Sequence, residues 1–131
     1  MDFRRRTRVV NVRVSNIRPQ YDNLKEWCAD PDNIYIGRKG VVFIDGERYP
    51  KQDSFWANPY KVGRDGDTDE VMTKFMRHLA SNDCYLARIR ELKDKNLGCW
   101  CHPKPCHGHV LRTLLNMVEN GEIEQRTSSS E

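Results

Sequence analysis

The feature that most constrains this chain is the passage from an apolar run into a Cys/His/Pro-rich turn and then into an amphipathic helix, residues 97–118. Residues 97–101 read as a short strand, Pro103 and Pro105 stop and stiffen the turn, and a final helix over about residues 106–120 ends at Gly121. Val110, Leu111, Leu114, Leu115 and Val118 give that helix one inner face. A chain that leaves a strand and enters a packed helix in so few residues belongs in an α/β layer. The turn also holds three of the five cysteines and three of the four histidines. Such crowding of soft ligands and nucleophiles marks it as a site.

The rest of the chain supplies partners for that unit. Residues 7–15 read as a strand, with Val10, Val12 and Val14 facing one way, and residues 21–29 as a short helix before Pro31. Residues 33–38 make a second strand closed by Gly37. Residues 40–49 read as a hairpin turning at Asp45-Gly46, a type I′ signal. Residues 55–64 are aromatic and broken by Pro59 and Gly63, so they form a loop packed back on the core. Asp67 caps the next helix, with Glu70 placed for a capping box, and Val71, Met72, Phe75, Met76 and Leu79 form its apolar stripe. A further helix over about residues 83–93 carries Leu86, Ile89 and Leu92 inward. The expected fold is α/β: a single small domain, a mixed β-sheet flanked by helices, with an inserted β-hairpin. Its bounds are residues 9–121, between a basic arm over residues 1–8 and a polar, flexible tail over residues 122–131.

Composition narrows function more by exclusion. At 131 residues with 37% hydrophobic and 31% charged, the chain fits one domain with a single core and lies outside the disordered range. The net charge of +3 is too weak to argue for nucleic acid by itself. Arg4, Arg5, Arg6 and Arg8, however, could give an arm a weak contact with phosphates. No stretch approaches the roughly 20 apolar residues of a membrane span, and the charged start lacks the apolar region of a secretory signal. The expected setting is intracellular, with cysteines present as thiols or metal ligands.

Three arguments meet at the turn. On a strand over residues 97–101, Cys99 and Cys101 share one face while Gly98 and Trp100 take the other, so Trp100 joins Cys99 as core. Cys106, His107 and Gly108 open the last helix, where unpaired N–H groups and the helix dipole attract anions. The same field favours a thiolate, and ligand sites in open α/β sheets lie beyond the carboxyl ends of strands. One reading makes Cys106 a nucleophile with His107, His109 or His102 as acid/base, and Gly108 part of the ligand-binding corner. Another makes Cys99, Cys101, Cys106 and His109 a zinc set, although the spacing matches no standard signature. Arg38, Asn58 and Arg64, with Lys61, are candidates to line an anion pocket. Phe55, Trp56 and Tyr60 read as core packing or as a wall for stacking a base. His78, Cys28 and Cys84 read as structural.

These segments together resemble a known family. Tyr35-Ile36-Gly37-Arg38, the run from Trp56 to Gly63, and Leu97-Gly98-Cys99-Trp100-Cys101 followed by Pro103, Pro105, Cys106-His107-Gly108 and Val110-Leu111 resemble domain of unknown function family 4326, small α/β proteins of bacteria, phages and large DNA viruses. The resemblance covers about residues 9–118. It implies a small α/β fold and marks Gly37, Arg38, Asn58, Pro59, Gly63, Cys99, Trp100, Cys101, Pro105, Cys106, His107 and Gly108 as motif positions. It implies no reaction. The hairpin looks longer than the family's usual connection, and the arginine-rich start looks like a local addition. The expected function is binding or processing of a phosphate-bearing small molecule such as a nucleotide. The alternative is a non-catalytic module, with or without zinc, that binds nucleic acid or protein.

Overall fold

The computed structural model describes residues 6–100 and 106–123. Arg4, Arg5, Cys101, His102 and the tail from residue 124 lie outside the described residues. Three strands form a wholly parallel sheet: β1 (Arg8–Asn11), β2 (Asn33–Tyr35) and β5 (Asn96–Cys99), in the order β1-β5-β2. The hairpin strands β3 (Val42–Ile44) and β4 (Glu47–Tyr49) pair antiparallel in a sheet of their own. Parallel and antiparallel pairing thus coexist, but in separate sheets. The hairpin turns at Asp45 and Gly46, both at positive φ (53° and 80°), as a type I′ turn requires.

Register divides the core. Val9 and Ile34 both pair with Leu97, so all three share a face with Cys99 two residues on. That face is covered by α3 (Thr68–Ala80), α4 (Asp83–Arg88) and α5 (His107–Glu119), whose Phe75, Leu79, Leu86, Leu111 and Leu114 complete the larger cluster. On the other face, Val12, Trp27 and Leu24 pack with Trp100, Tyr35 and the hairpin's Val42, Ile44 and Tyr49. Trp27 belongs to α2 (Leu24–Ala29), and it lies so close to the central strand that a Cβ on Gly98 would stand 2.5 Å from its ring. A parallel sheet needs both faces covered, and this one has them.

Several expected elements come out shorter: β2 ends at Tyr35 rather than residue 38, α2 starts at Leu24 rather than residue 21, and two others change more. The first strand stops at Asn11 rather than running to residue 15, and α1 (Val14–Ile17) follows. Its partner β5 ends at Cys99, so Val12 N–H makes the last pairing, to the Cys99 carbonyl at 3.0 Å. The Asn11 side chain then accepts from Arg13 N–H and turns the chain, leaving Val14 39% exposed instead of beside Val10 and Val12. The helix expected over residues 83–93 is α4 followed by a 3₁₀ turn (Ile89–Leu92), which still buries Leu86, Ile89 and Leu92. The start of α3 follows expectation: Asp67 Oδ1 accepts from Glu70 N–H and Glu70 Oε1 from Asp67 N–H, each at 2.9 Å. No helix among the described residues is long and apolar enough to cross a membrane.

Candidate functional site

The carboxyl ends of β2 and β5 open onto the same space as the start of α5. Ile36-Gly37-Arg38 leaves β2, and Arg38 holds the aromatic loop in place: its Nη2 donates to the Asn58 carbonyl at 2.8 Å and the Tyr60 carbonyl at 3.2 Å. Ser54 N–H donates to the Gly37 carbonyl at 3.0 Å and fixes the same loop from its other side. Trp100 leaves β5 and donates from Nε1 to Tyr35 Oη at 2.9 Å, while Tyr35 Oη donates to the Arg38 carbonyl at 2.9 Å. Between these segments lies a cavity of ≈490 Å³. Arg38, Lys61, Asn58 and His107 supply its polar lining; Val41, Val62, Val71, Met72 and Trp100 supply much of the apolar wall, and no carboxylate of the described residues lines it.

Asn58 is the most informative of these side chains. It is only 7% exposed. Its Oδ1 accepts from Tyr60 N–H at 2.9 Å, which fixes the amide orientation because a backbone N–H must meet the oxygen. The Nδ2 donors are left without a protein partner among the described residues. A buried donor in that condition costs stability unless a water or ligand satisfies it.

His107 lines the cavity from the first turn of α5. Its Nε2 lies 2.6 Å from the Ile36 carbonyl, which can only accept, so Nε2 carries the proton and Nδ1 is the acceptor of the neutral ring. Burial holds its pKa below the ordinary imidazole value; the Arg38 charge adds to the effect, while the Ile36 carbonyl opposes it. The imidazole is therefore neutral near neutral pH, and it stands edge-on to Phe75 at 5.7 Å.

The corner at Cys106 is built differently from expectation. Cys106 is 1% exposed, with its Sγ 3.3 Å from the Cys99 Sγ in the core. The neighbouring Cys99 sulfur, and then burial, push its thiol well above the ordinary range, outweighing the N–H groups of Gly108 and His109 that favour the thiolate. The helix-start field expected to activate Cys106 loses to the neighbouring Cys99 sulfur and to burial, so the group is a thiol. The start of α5 is also capped from within: His109 N–H donates to the Cys106 carbonyl at 3.0 Å, and His109 Nδ1 accepts from Cys106 N–H at 3.2 Å. Gly108 is there for packing: a Cβ would stand 2.9 Å from Val9 Cγ1 and 3.0 Å from Ile36 Cδ1.

Of the other expected ligand-binding residues, Arg38 and Asn58 line the cavity together. Arg64 does not. It is exposed, ion-paired to Asp65 at 2.8 Å and bonded to the Pro59 carbonyl at 2.9 Å. Lys61 brings the second positive charge to the cavity instead. Trp100, expected in the core, packs there with one part and lines the cavity with another. Nothing in the local pattern distinguishes it, since its role follows from where β5 ends. Of the expected zinc set, Cys99 and Cys106 lie side by side, Cys101 falls outside the described residues, and His109 Nδ1 is occupied by the cap. Among the described residues, no group of three or more His, Cys, Asp or Glu is placed to hold a metal. Arg6 of the basic arm lines a different cleft of ≈290 Å³ with Lys93, Arg112 and Glu119.

A family profile described as a domain of unknown function (DUF4326) matches residues 20–117. The chain belongs to this family. A DUF4326 profile spanning the β2 exit, the aromatic loop and the start of α5 takes in all the residues that line the cavity. An uncharacterised protein of Acanthamoeba polyphaga mimivirus is 32% identical over 100 residues, covering 70% of this chain and 73% of the relative. An uncharacterised 12.4 kDa protein from the nrdA-td intergenic region of Enterobacteria phage T4 is 34% identical over 76 residues, covering 54% of this chain and 68% of the relative. No solved structure matches the chain.

Proposed function

We propose that this chain binds a small phosphate-bearing ligand with a flat ring, a nucleotide or nucleotide derivative, in the cavity at the carboxyl ends of β2 and β5. The observation that carries the reading is the pairing of two cationic side chains with a buried Asn58 whose Nδ2 has no partner among the described residues, in a cavity that no carboxylate of those residues lines. Arg38 spends Nη2 on two loop carbonyls, which leaves Nε and Nη1 to meet an anion. Asn58 Nδ2 would donate to the same group or to a ring acceptor. The neutral His107 offers Nδ1 to a ligand N–H or hydroxyl. Val41, Val62, Met72 and Trp100 give the ring an apolar wall of the kind small-molecule sites use. In this reading Cys106 holds the end of α5 and performs no chemistry.

Calorimetric titration of the full chain with AMP and with adenosine tests it. A phosphate held by charge-assisted hydrogen bonds is worth about 1.5–3 kcal/mol, so AMP should bind roughly tenfold or more tighter than adenosine. Lys61→Gln should weaken AMP severalfold and reduce its salt dependence. Equal affinity for the two compounds, or no binding of AMP, would remove the reading.

A further inference from the structure

A second cavity, ≈620 Å³, adjoins the first, and the two share Arg38, Asn58 and Lys61. The shared residues form a ridge with charge on it and a different surface on each side. Towards the first cavity the wall is mainly aliphatic, with Trp100 and Tyr60. Towards the second it is aromatic. Phe55 and Tyr85 stand 4.7 Å apart at 39°, and His78 lies 5.3 Å from Tyr85. Arg88 sits 4.1 Å over the Phe55 ring and holds that face in place.

The distribution of charge locates a ligand's anion. Among the described residues the first cavity has no acid, whereas the second contains Asp53, whose Oδ1 is occupied by Lys39 N–H. A phosphate deep in the second cavity would face that carboxylate. On the ridge it would meet Arg38, Lys61 and the unpartnered Asn58 amide, on a residue that lines both cavities. The remaining Asp53 oxygen suits a sugar hydroxyl, and the aromatic wall suits a ring. A mononucleotide fills about one cavity of this size.

We propose that the ligand has two ring-bearing halves joined through phosphate, as in a dinucleoside diphosphate, and straddles the Arg38–Asn58–Lys61 ridge with one half in each cavity. This rests on the nucleotide reading and names the class of compound for the same site. Joining two weakly bound halves makes the second contact intramolecular, so affinity rises without any new kind of contact.

Titrate the full chain with AMP and with diadenosine diphosphate, and repeat with Ala57→Trp, which fills the second cavity, and His78→Ala, which strips part of its wall. The diadenosine compound should bind at least about tenfold tighter than AMP in the wild type. That advantage should vanish in Ala57→Trp and shrink in His78→Ala. Circular dichroism establishes that each variant is folded, and His78→Ala decides the matter if Ala57→Trp is not. AMP binding with no diadenosine advantage, or an advantage that both folded variants retain, would overturn the two-cavity proposal and leave the nucleotide reading standing. No binding of either compound would overturn both.

Discussion

Alkylation of the native chain with iodoacetamide near neutral pH should label Cys84 and spare Cys106. The two differ in access and in acidity. Cys84 is exposed, whereas Cys106 is 1% exposed and its sulfur lies 3.3 Å from the Cys99 sulfur. To react, Cys106 must first be uncovered by opening the start of α5. That opening gives up an N-cap, about 1 kcal/mol, and uncovers a side chain of roughly one buried methylene and a sulfur, about 1 kcal/mol more. Access alone therefore slows the reaction about thirtyfold. The attacking species is the thiolate, and the neighbouring Cys99 sulfur together with burial disfavours it at Cys106, so acidity multiplies the protection. Time-resolved labelling, with tandem mass spectrometry placing the label, reads both rates in one sample. Labelling of Cys106 as fast as Cys84 would refute the structural assignment and return Cys106 to the role of nucleophile.

Other consequences follow from the same packing. His107 has a lowered pKa, so the unfolded chain takes up a proton that the folded chain refuses as pH falls through about 6.5. Stability should be present above that value and decline as pH falls below it towards the lowered folded-state value, and His107→Gln should flatten the decline in a thermal-unfolding series; an unchanged slope would place the proton elsewhere. Gly108→Ala gains about 0.8–1 kcal/mol of helix propensity but loses about 1–3 kcal/mol to overpacking against the stiff Val9 and the buried Ile36. A net loss near 1 kcal/mol should lower Tm by about 3–5 °C with AMP affinity unchanged. Arg64→Ala should leave AMP affinity unchanged, because Arg64 is bound to Asp65 and Pro59 rather than facing the cavity.

What the sequence reveals here is what nearby residues decide among themselves. The Asp67/Glu70 capping box, the Asp45-Gly46 turn and the stop at Gly121 each depend on a few adjacent groups, and all three are found where the pattern puts them. The end of β1 depends on where β5 runs out, 88 positions along the chain from Asn11 to Cys99, so a continuous valine pattern overstates it. Arg38, beside Gly37 at a loop mouth, Asn58, ahead of Pro59, and His107, at a helix start, each has a local signal, and the fold brings all three to one cavity. The choice of Lys61 over Arg64 has none, because it turns on Asp65 capturing the arginine within an irregular loop. Cys106 misleads for a related reason. A helix start favours a thiolate only where solvent or a cation shares the site, and here the sulfur is turned onto Cys99. Cys106 faces the core, while the cavity begins one residue on, at His107.

The most direct test of the proposed nucleotide site is to locate bound AMP by amide and side-chain NMR. The expected result is that the Asn58 side-chain NH₂ pair moves most, with Gly37, Arg38, Lys61 and the Trp100 indole N–H, while Arg64 and the Arg6–Arg112 cleft stay still. Shifts centred on that cleft or on Arg64, with Asn58 unmoved, would contradict it.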